Sequence, residues 1–237
     1  CKRDAMLTAL ADLAQRSKAG DEVMIYFSGH GSHKKDENGD EPDGADETWV
    51  TVELDQILDD ELEAAFAKIP GTVYVVSDSC HSGTVSKDIQ VDRSDSVGKY
   101  LSPVAIEKAK GQPASGFTAR DIAPRRPDEQ ARQNAQGGTN TPVSGIGTQA
   151  RLFSSCSDHE VSNASRRERN SAFTAQLLTV VQEASGPLQF GVLQQQVTVR
   201  LRNRAYRYPQ NPSLFQVQQT QVVPTWLCAG RQAPAGV

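Results

Sequence analysis

Asp78-Ser79-Cys80-His81-Ser82-Gly83 is the stretch whose reading decides the fold, because Tyr26-Phe27-Ser28-Gly29-His30-Gly31 stands fifty residues before it. Each cluster follows a short apolar run, Val23-Met24-Ile25-Tyr26-Phe27 in one case and Val73-Tyr74-Val75-Val76 in the other. Runs rich in β-branched and aromatic residues, closed by Gly and Ser, predict buried strands that end in loops. A parallel sheet gathers such loops at the carboxyl ends of its strands, where ligands bind. A thiol and an imidazole are then expected to face each other across one edge of the sheet, the arrangement a cysteine hydrolase needs.

Taken singly, a free Cys at a strand end is most often a small buried hydrophobe. The pairing with a second strand-end residue, His30, makes the chemical reading the stronger one. His81 is a weaker partner, because neighbouring side chains diverge in most loop geometries. The imidazole lowers the pKa of the thiol and later protonates the leaving amine. The oxyanion formed on attack needs backbone N–H donors, and those of Gly31 and Cys80 are the candidates.

Length and composition bound this reading. The 237 residues suffice for one substantial core with appendages. Hydrophobic residues are 37% and charged residues 23%, lean enough that part of the chain is expected outside the core. A formal charge of −4 gives no reason to expect nucleic acid or an anionic membrane as partner, and no apolar run has the length of a spanning helix. Cys1, Cys80, Cys156 and Cys228 are scattered, without the spacing of a disulfide framework or zinc site, so a reducing, cytoplasmic setting is expected.

The pattern around the two clusters alternates helix and strand. Helices are predicted over 2–18, 59–68 and 172–184, with Ser171 or Asn170 capping the last, and a less regular one over 188–204. Strands are predicted over 22–28 and 150–156. Between them lies an acidic loop from Lys34 to Glu47. Residues 84–148 are rich in Gly, Pro, Ser, Gln, Lys and Arg and are expected to form a mobile insertion, with a helical turn or two near 103–110. The expected division is 1–86, an insertion over 87–148, and 149–237, the first and last parts sharing one α/β domain.

Tyr-Phe-Ser-Gly-His-Gly-Ser at 26–32 and Asp-Ser-Cys-His-Ser-Gly-Thr at 78–84 resemble the two signatures of metacaspases and their prokaryotic relatives, the orthocaspases. The acidic stretch 39–47, the segment 57–62, Ser154-Ser155-Cys156-Ser157-Asp158-His159-Glu160, Ala172-Phe173-Thr174 and Gln210-Asn211-Pro212 resemble the family in order and spacing. The resemblance covers about 1–86 and 150–215. It implies a caspase–hemoglobinase fold, a mostly parallel sheet flanked by helices on both faces. It also implies a first strand and helix of the family ahead of Cys1.

The activity implied is that of a cysteine endopeptidase cutting after Arg or Lys through a Cys80/His30 dyad, acting on protein or peptide substrates as a monomer. A basic side chain entering a pocket wants a buried carboxylate. Asp78 corresponds to the family's pocket aspartate and Ser28 to a pocket hydroxyl. Calcium is implied as cofactor, with Asp46, Asp59 and Asp60 aligned to family ligands and Asp88 beside the fourth position, which Lys87 takes. Without calcium, a solvated acidic loop and an N-capped helix explain the same residues.

Basic residues in the insertion (Lys87, Arg93, Lys99, Lys108, Lys110, Arg120, Arg125, Arg126, Arg132) make self-cleavage there an expectation. The competing readings are a catalytically inert caspase-like scaffold for protein–protein interaction and a calcium-binding regulatory domain with an incidental thiol.

Overall fold

The computed structural model describes residues 1–37, 39, 44–80, 96–116, 150–156, 160–165, 169–203 and 210–224. Its centre is a four-stranded sheet of β1 (Glu22–Ser28), β5 (Thr72–Asp78), β7 (Ala150–Ser154) and β9 (Ser213–Phe215), in the order β1-β5-β7-β9. The first three strands run parallel and β9 runs antiparallel to β7. Strands from before and after the 87–148 stretch therefore share one sheet.

Side chains on β5 alternate between two cores, as the period of two requires. Val73 and Val75, with Leu152 of β7, pack against Leu10 of α1 (Arg3–Arg16) and Leu62 and Phe66 of α2 (Asp59–Phe66). Tyr74 and Val76, with Phe153, pack against Phe173, Leu177 and Val180 of α4 (Ala172–Glu183) and Leu193 and Val197 of α5 (Phe190–Arg202). Helices thus cover both faces, which explains why β5 and β7 read as continuous apolar runs. The fold class is the expected α/β one, a mostly parallel sheet flanked by helices on both faces.

Local signals account for the element ends. At the start of α2 the Glu61 carboxylate accepts from Leu58 N–H at 3.1 Å, and Asp59 Oδ1 accepts from Asp60 N–H at 3.0 Å. Both satisfy amides that a helix N-terminus leaves unpaired. Gly71 precedes β5 because a Cβ there would stand 2.6 Å from the Asp21 carbonyl oxygen. That oxygen accepts from Thr72 N–H at 2.7 Å, so the close approach sets the register of β1 and β5.

The acidic loop is a correction. Lys34 and Lys35 end β2 (His30–Lys35), and Ala45–Val50 is β3, paired antiparallel with β2 and with β4 (Gln56–Leu58). Charged residues masked this hairpin, because Asp46 and Glu47 read as loop yet are buried in β3. Its register is fixed by Trp49, 2% exposed, whose ring stacks on Phe27 with centroids 4.2 Å apart.

A second departure concerns the insertion. Residues 96–98 form β6 (Ser96–Gly98), paired antiparallel with β8 (Asn163–Ser165), and α3 (Pro103–Ala109) follows, capped by Ser102. Composition gave the helical turn but not the strand. Among the described residues no helix is long and apolar enough to cross a membrane.

Candidate active site

His30 and Cys80 occupy matching places on neighbouring parallel strands. Ser28 and Asp78 are register partners at the ends of β1 and β5, and each functional residue lies two positions further on. Cys80 is completely buried. The Ser162 N–H donates to its Sγ. His30 opens β2 and has its Nδ1 buried without a hydrogen-bond partner among the described residues. Burial, and then the nearby charge of Lys99, hold its pKa below the ordinary histidine value, so the neutral imidazole is the favoured form.

Beside this pair, Asp78 forms the floor of a narrow slot. It is wholly buried. Its Oδ1 accepts from Ser162 Oγ at 2.7 Å, and its Oδ2 accepts from Thr174 Oγ1 at 2.5 Å and from Ser171 Oγ. The first turn of α4 also brings its positive dipole end to the carboxylate. Ser171 stands at the capping position of α4, as the sequence suggested. Its side chain makes no capping hydrogen bond and turns to Asp78 instead. Tyr26 OH, 2.6 Å from Thr174 Oγ1, extends the network.

Lys99 fills the slot. Its Nζ lies 3.0 Å from Asp78 Oδ1 and donates to Ser28 Oγ at 2.8 Å and to the Asp78 carbonyl at 3.0 Å. Its main chain is held just as closely. The Lys99 carbonyl accepts from Gly31 N–H at 3.0 Å and from Cys80 N–H at 3.3 Å, the two amides singled out as oxyanion donors. The Lys99 N–H donates to the Ser162 carbonyl at 3.0 Å, and the Leu101 N–H donates to the Gly31 carbonyl at 2.9 Å. Residues 96–101 therefore lie along the site in the extended, doubly hydrogen-bonded pose of a bound peptide.

Cys156, two residues beyond β7, is a second buried thiol at the site. The neighbouring Cys80 sulfur, and then burial, push its pKa well up, so Cys156 stays protonated and donates to the Ser79 and Glu160 carbonyls at 3.6 Å each. Sequence reading passed over Cys156, Ser162, Ser171 and Thr174 as site residues. The signal for Cys156 was present: Ser-Ser-Cys closes an apolar run as Asp-Ser-Cys does. Nothing local marks the three hydroxyls.

The acidic residues fit a metal less well. Asp46 and Asp60 line one cavity of about 850 Å³ with Glu37, Asp55, Glu61 and Glu107, but Arg3, Lys34, Lys35 and Lys110 line it too. Asp59 is buried at the head of α2. Among the described residues no three carboxylate, imidazole or thiol groups converge to hold an ion. The expected ligand Asp88 lies outside the described residues, as do Asp40, Glu41, Asp43, His81 and Cys228.

A thiol and an imidazole at adjacent carboxyl strand ends, on a helix-covered sheet, place the chain among caspase-like α/β domains. The caspase domain family model matches residues 1–224, and the chain belongs to that family. It is 42% identical to Metacaspase-2 of Arabidopsis thaliana over 89 residues, 35% of this chain and 21% of that protein. It is 38% identical to Metacaspase-1 of the same plant over 102 residues, 40% of this chain and 28% of that protein. Metacaspase-1 of Mycosarcoma maydis is 36% identical over 88 residues, 35% of this chain and 22% of that protein. The aligned part thus spans under a third of each of these relatives. Among solved structures, protein GSU0716 from Geobacter sulfurreducens is similar over all of this chain and 79% of its own, with a TM-score of 0.58 and 27% identity.

Proposed function

We propose that this chain is a cysteine endopeptidase that cuts after Lys or Arg, and that its first substrate is its own Lys99–Tyr100 bond. The observation that carries the reading is Lys99 itself: its ammonium lies on Asp78 while its carbonyl accepts from the Gly31 and Cys80 amides. A substrate held this way has its reacting carbonyl beside the nucleophile, and holding it there lowers the barrier.

The reaction follows from these positions. His30 takes the Cys80 proton, and the Sγ attacks the Lys99 carbonyl carbon. Negative charge then gathers on the carbonyl oxygen, where two amides already point. Collapse breaks the Lys99–Tyr100 C–N bond, and His30 returns its proton to the Tyr100 nitrogen. Water, deprotonated by His30, next cleaves the Lys99–Cys80 thioester, leaving a carboxylate on Lys99 and a free thiol.

Specificity for a basic residue rests on Asp78. In a wholly buried site a carboxylate with three hydroxyl donors still lacks a neutralising charge, and a Lys or Arg supplies it. A neutral or acidic side chain leaves that charge unpaired. Calcium dependence rests on the resemblance to metacaspases, and no step above passes through a metal.

The test compares the full chain with Cys80→Ala, each purified separately, by intact mass and N-terminal sequencing. A thiol-dependent cut that leaves Tyr100 as a new N-terminus is expected. A chain that stays whole, and hydrolyses no Lys- or Arg-terminated reporter, leaves the inert-scaffold reading in its place.

A further inference from the structure

Lys99 explains one side of the bound segment, but the residue after it is held as firmly. Tyr100 is 5% exposed, in a satellite core with Cys80, Cys156 and Val161. Its ring sits against His33 with centroids 5.8 Å apart, tilted by 58°. The backbone on either side is tied to the site, with Gly31 bridging to Tyr100 and accepting from Leu101 N–H. This fixes which side chain enters which pocket. When Lys99 lies on Asp78, the next residue can only fall between His33, Cys156 and Val161.

We infer that this pocket is a specificity subsite for the residue after the cut, and that the enzyme takes a basic residue followed by an aromatic one. The inference rests on the proposed peptidase reading and adds a second determinant to it. The walls belong to β2 and to the loop after β7, so they remain when residues 96–101 leave. They offer a ring edge, a sulfur and an isopropyl group, surfaces on which an aromatic ring packs. The Tyr100 hydroxyl is buried and makes no hydrogen bond among the described residues, and burial pushes its pKa far up. The subsite therefore reads the ring, and Phe is expected to serve as well as Tyr. A Gly would leave the pocket empty, and an Asp would bring an unpaired carboxylate into it.

The test uses quenched-fluorescence peptides of sequence Ser-Val-Gly-Lys-X-Leu, with X as Tyr, Phe, Gly or Asp, and the full chain as enzyme. Alongside, the full chains with Tyr100→Phe and Tyr100→Gly are followed for cutting after Lys99. A kcat/KM at least about ten-fold higher for X = Tyr and Phe than for Gly and Asp is expected, a typical discrimination for one apolar pocket. Tyr100→Phe should process at the parent rate and Tyr100→Gly at least about ten-fold more slowly. His33→Ala should narrow the Tyr-to-Gly ratio of the peptides. Equal cleavage of all four peptides, always after Lys, overturns the subsite and leaves the basic specificity standing. Absence of any Cys80-dependent cut, in peptides and in the chain itself, removes both.

Discussion

The Lys99 ammonium lies 3.0 Å from the Asp78 carboxylate, with the lysine side chain 9% exposed and the aspartate wholly buried. A pair withdrawn this far from water holds together only because three hydroxyls share the carboxylate and Ser28 shares the ammonium. That one contact links the 87–148 stretch to the ends of two core strands, β1 at Ser28 and β5 at Asp78.

Asp78→Asn removes the charge but keeps the shape of the slot. Cleavage after Lys99 should fall by about 100-fold or more, since a charge-assisted bond is lost and a buried ammonium is left unpaired. Lys99→Arg should still be processed and Lys99→Gln should not. A double-mutant cycle of Asp78→Asn with Lys99→Met, read by denaturant unfolding, should give a coupling of about 1–3 kcal/mol. Additive effects would mean that the pair does not interact.

The pH dependence follows from His30, whose pKa burial and Lys99 lower. The imidazole must be neutral to accept the thiol proton, so the rate of cutting after Lys99 should fall only as pH drops below the ordinary histidine value of about 6.5. The stability contribution has the same sign. It is fully present above the unfolded-state pKa and is lost as pH falls through the lowered folded-state value. A rate profile already half-lost above about pH 7 would contradict the assignment.

Cys156 packs with both Cys80 and Tyr100, and it should support the loop that carries the nucleophile. Its raised pKa keeps the thiol protonated, and it donates to the Ser79 and Glu160 carbonyls at 3.6 Å each. Cys156→Ala should slow self-processing after Lys99, because the bond that holds the Ser79 carbonyl, one residue before the nucleophile, is lost. An unchanged processing rate would reduce Cys156 to a packing role.

Phe173 tests the core beneath the slot. It is fully buried on α4, edge-on to Phe153 with centroids 5.1 Å apart. Phe173→Ala should cost about 3–5 kcal/mol. Because Ser171 and Thr174 flank it, the midpoint of denaturant unfolding and the rate of cutting after Lys99 should fall together.

The chain order of apolar runs and turn residues determined the strands that lead to His30 and Cys80, the helices covering them and the class of fold. These signals are local: a period of two or 3.6 and a Gly or Ser where a run stops. They located Asp78 two residues before the thiol and showed Lys99 only as one basic residue among nine. Tertiary structure alone decided that Lys99 meets Ser28 across 71 positions, that Ser171 serves Asp78 rather than its own helix, and that Asp46 lies in a buried strand. The reason is physical. A strand is fixed by neighbours in sequence, but a buried charge is fixed by whichever distant groups can neutralise it, and no local pattern records which those are.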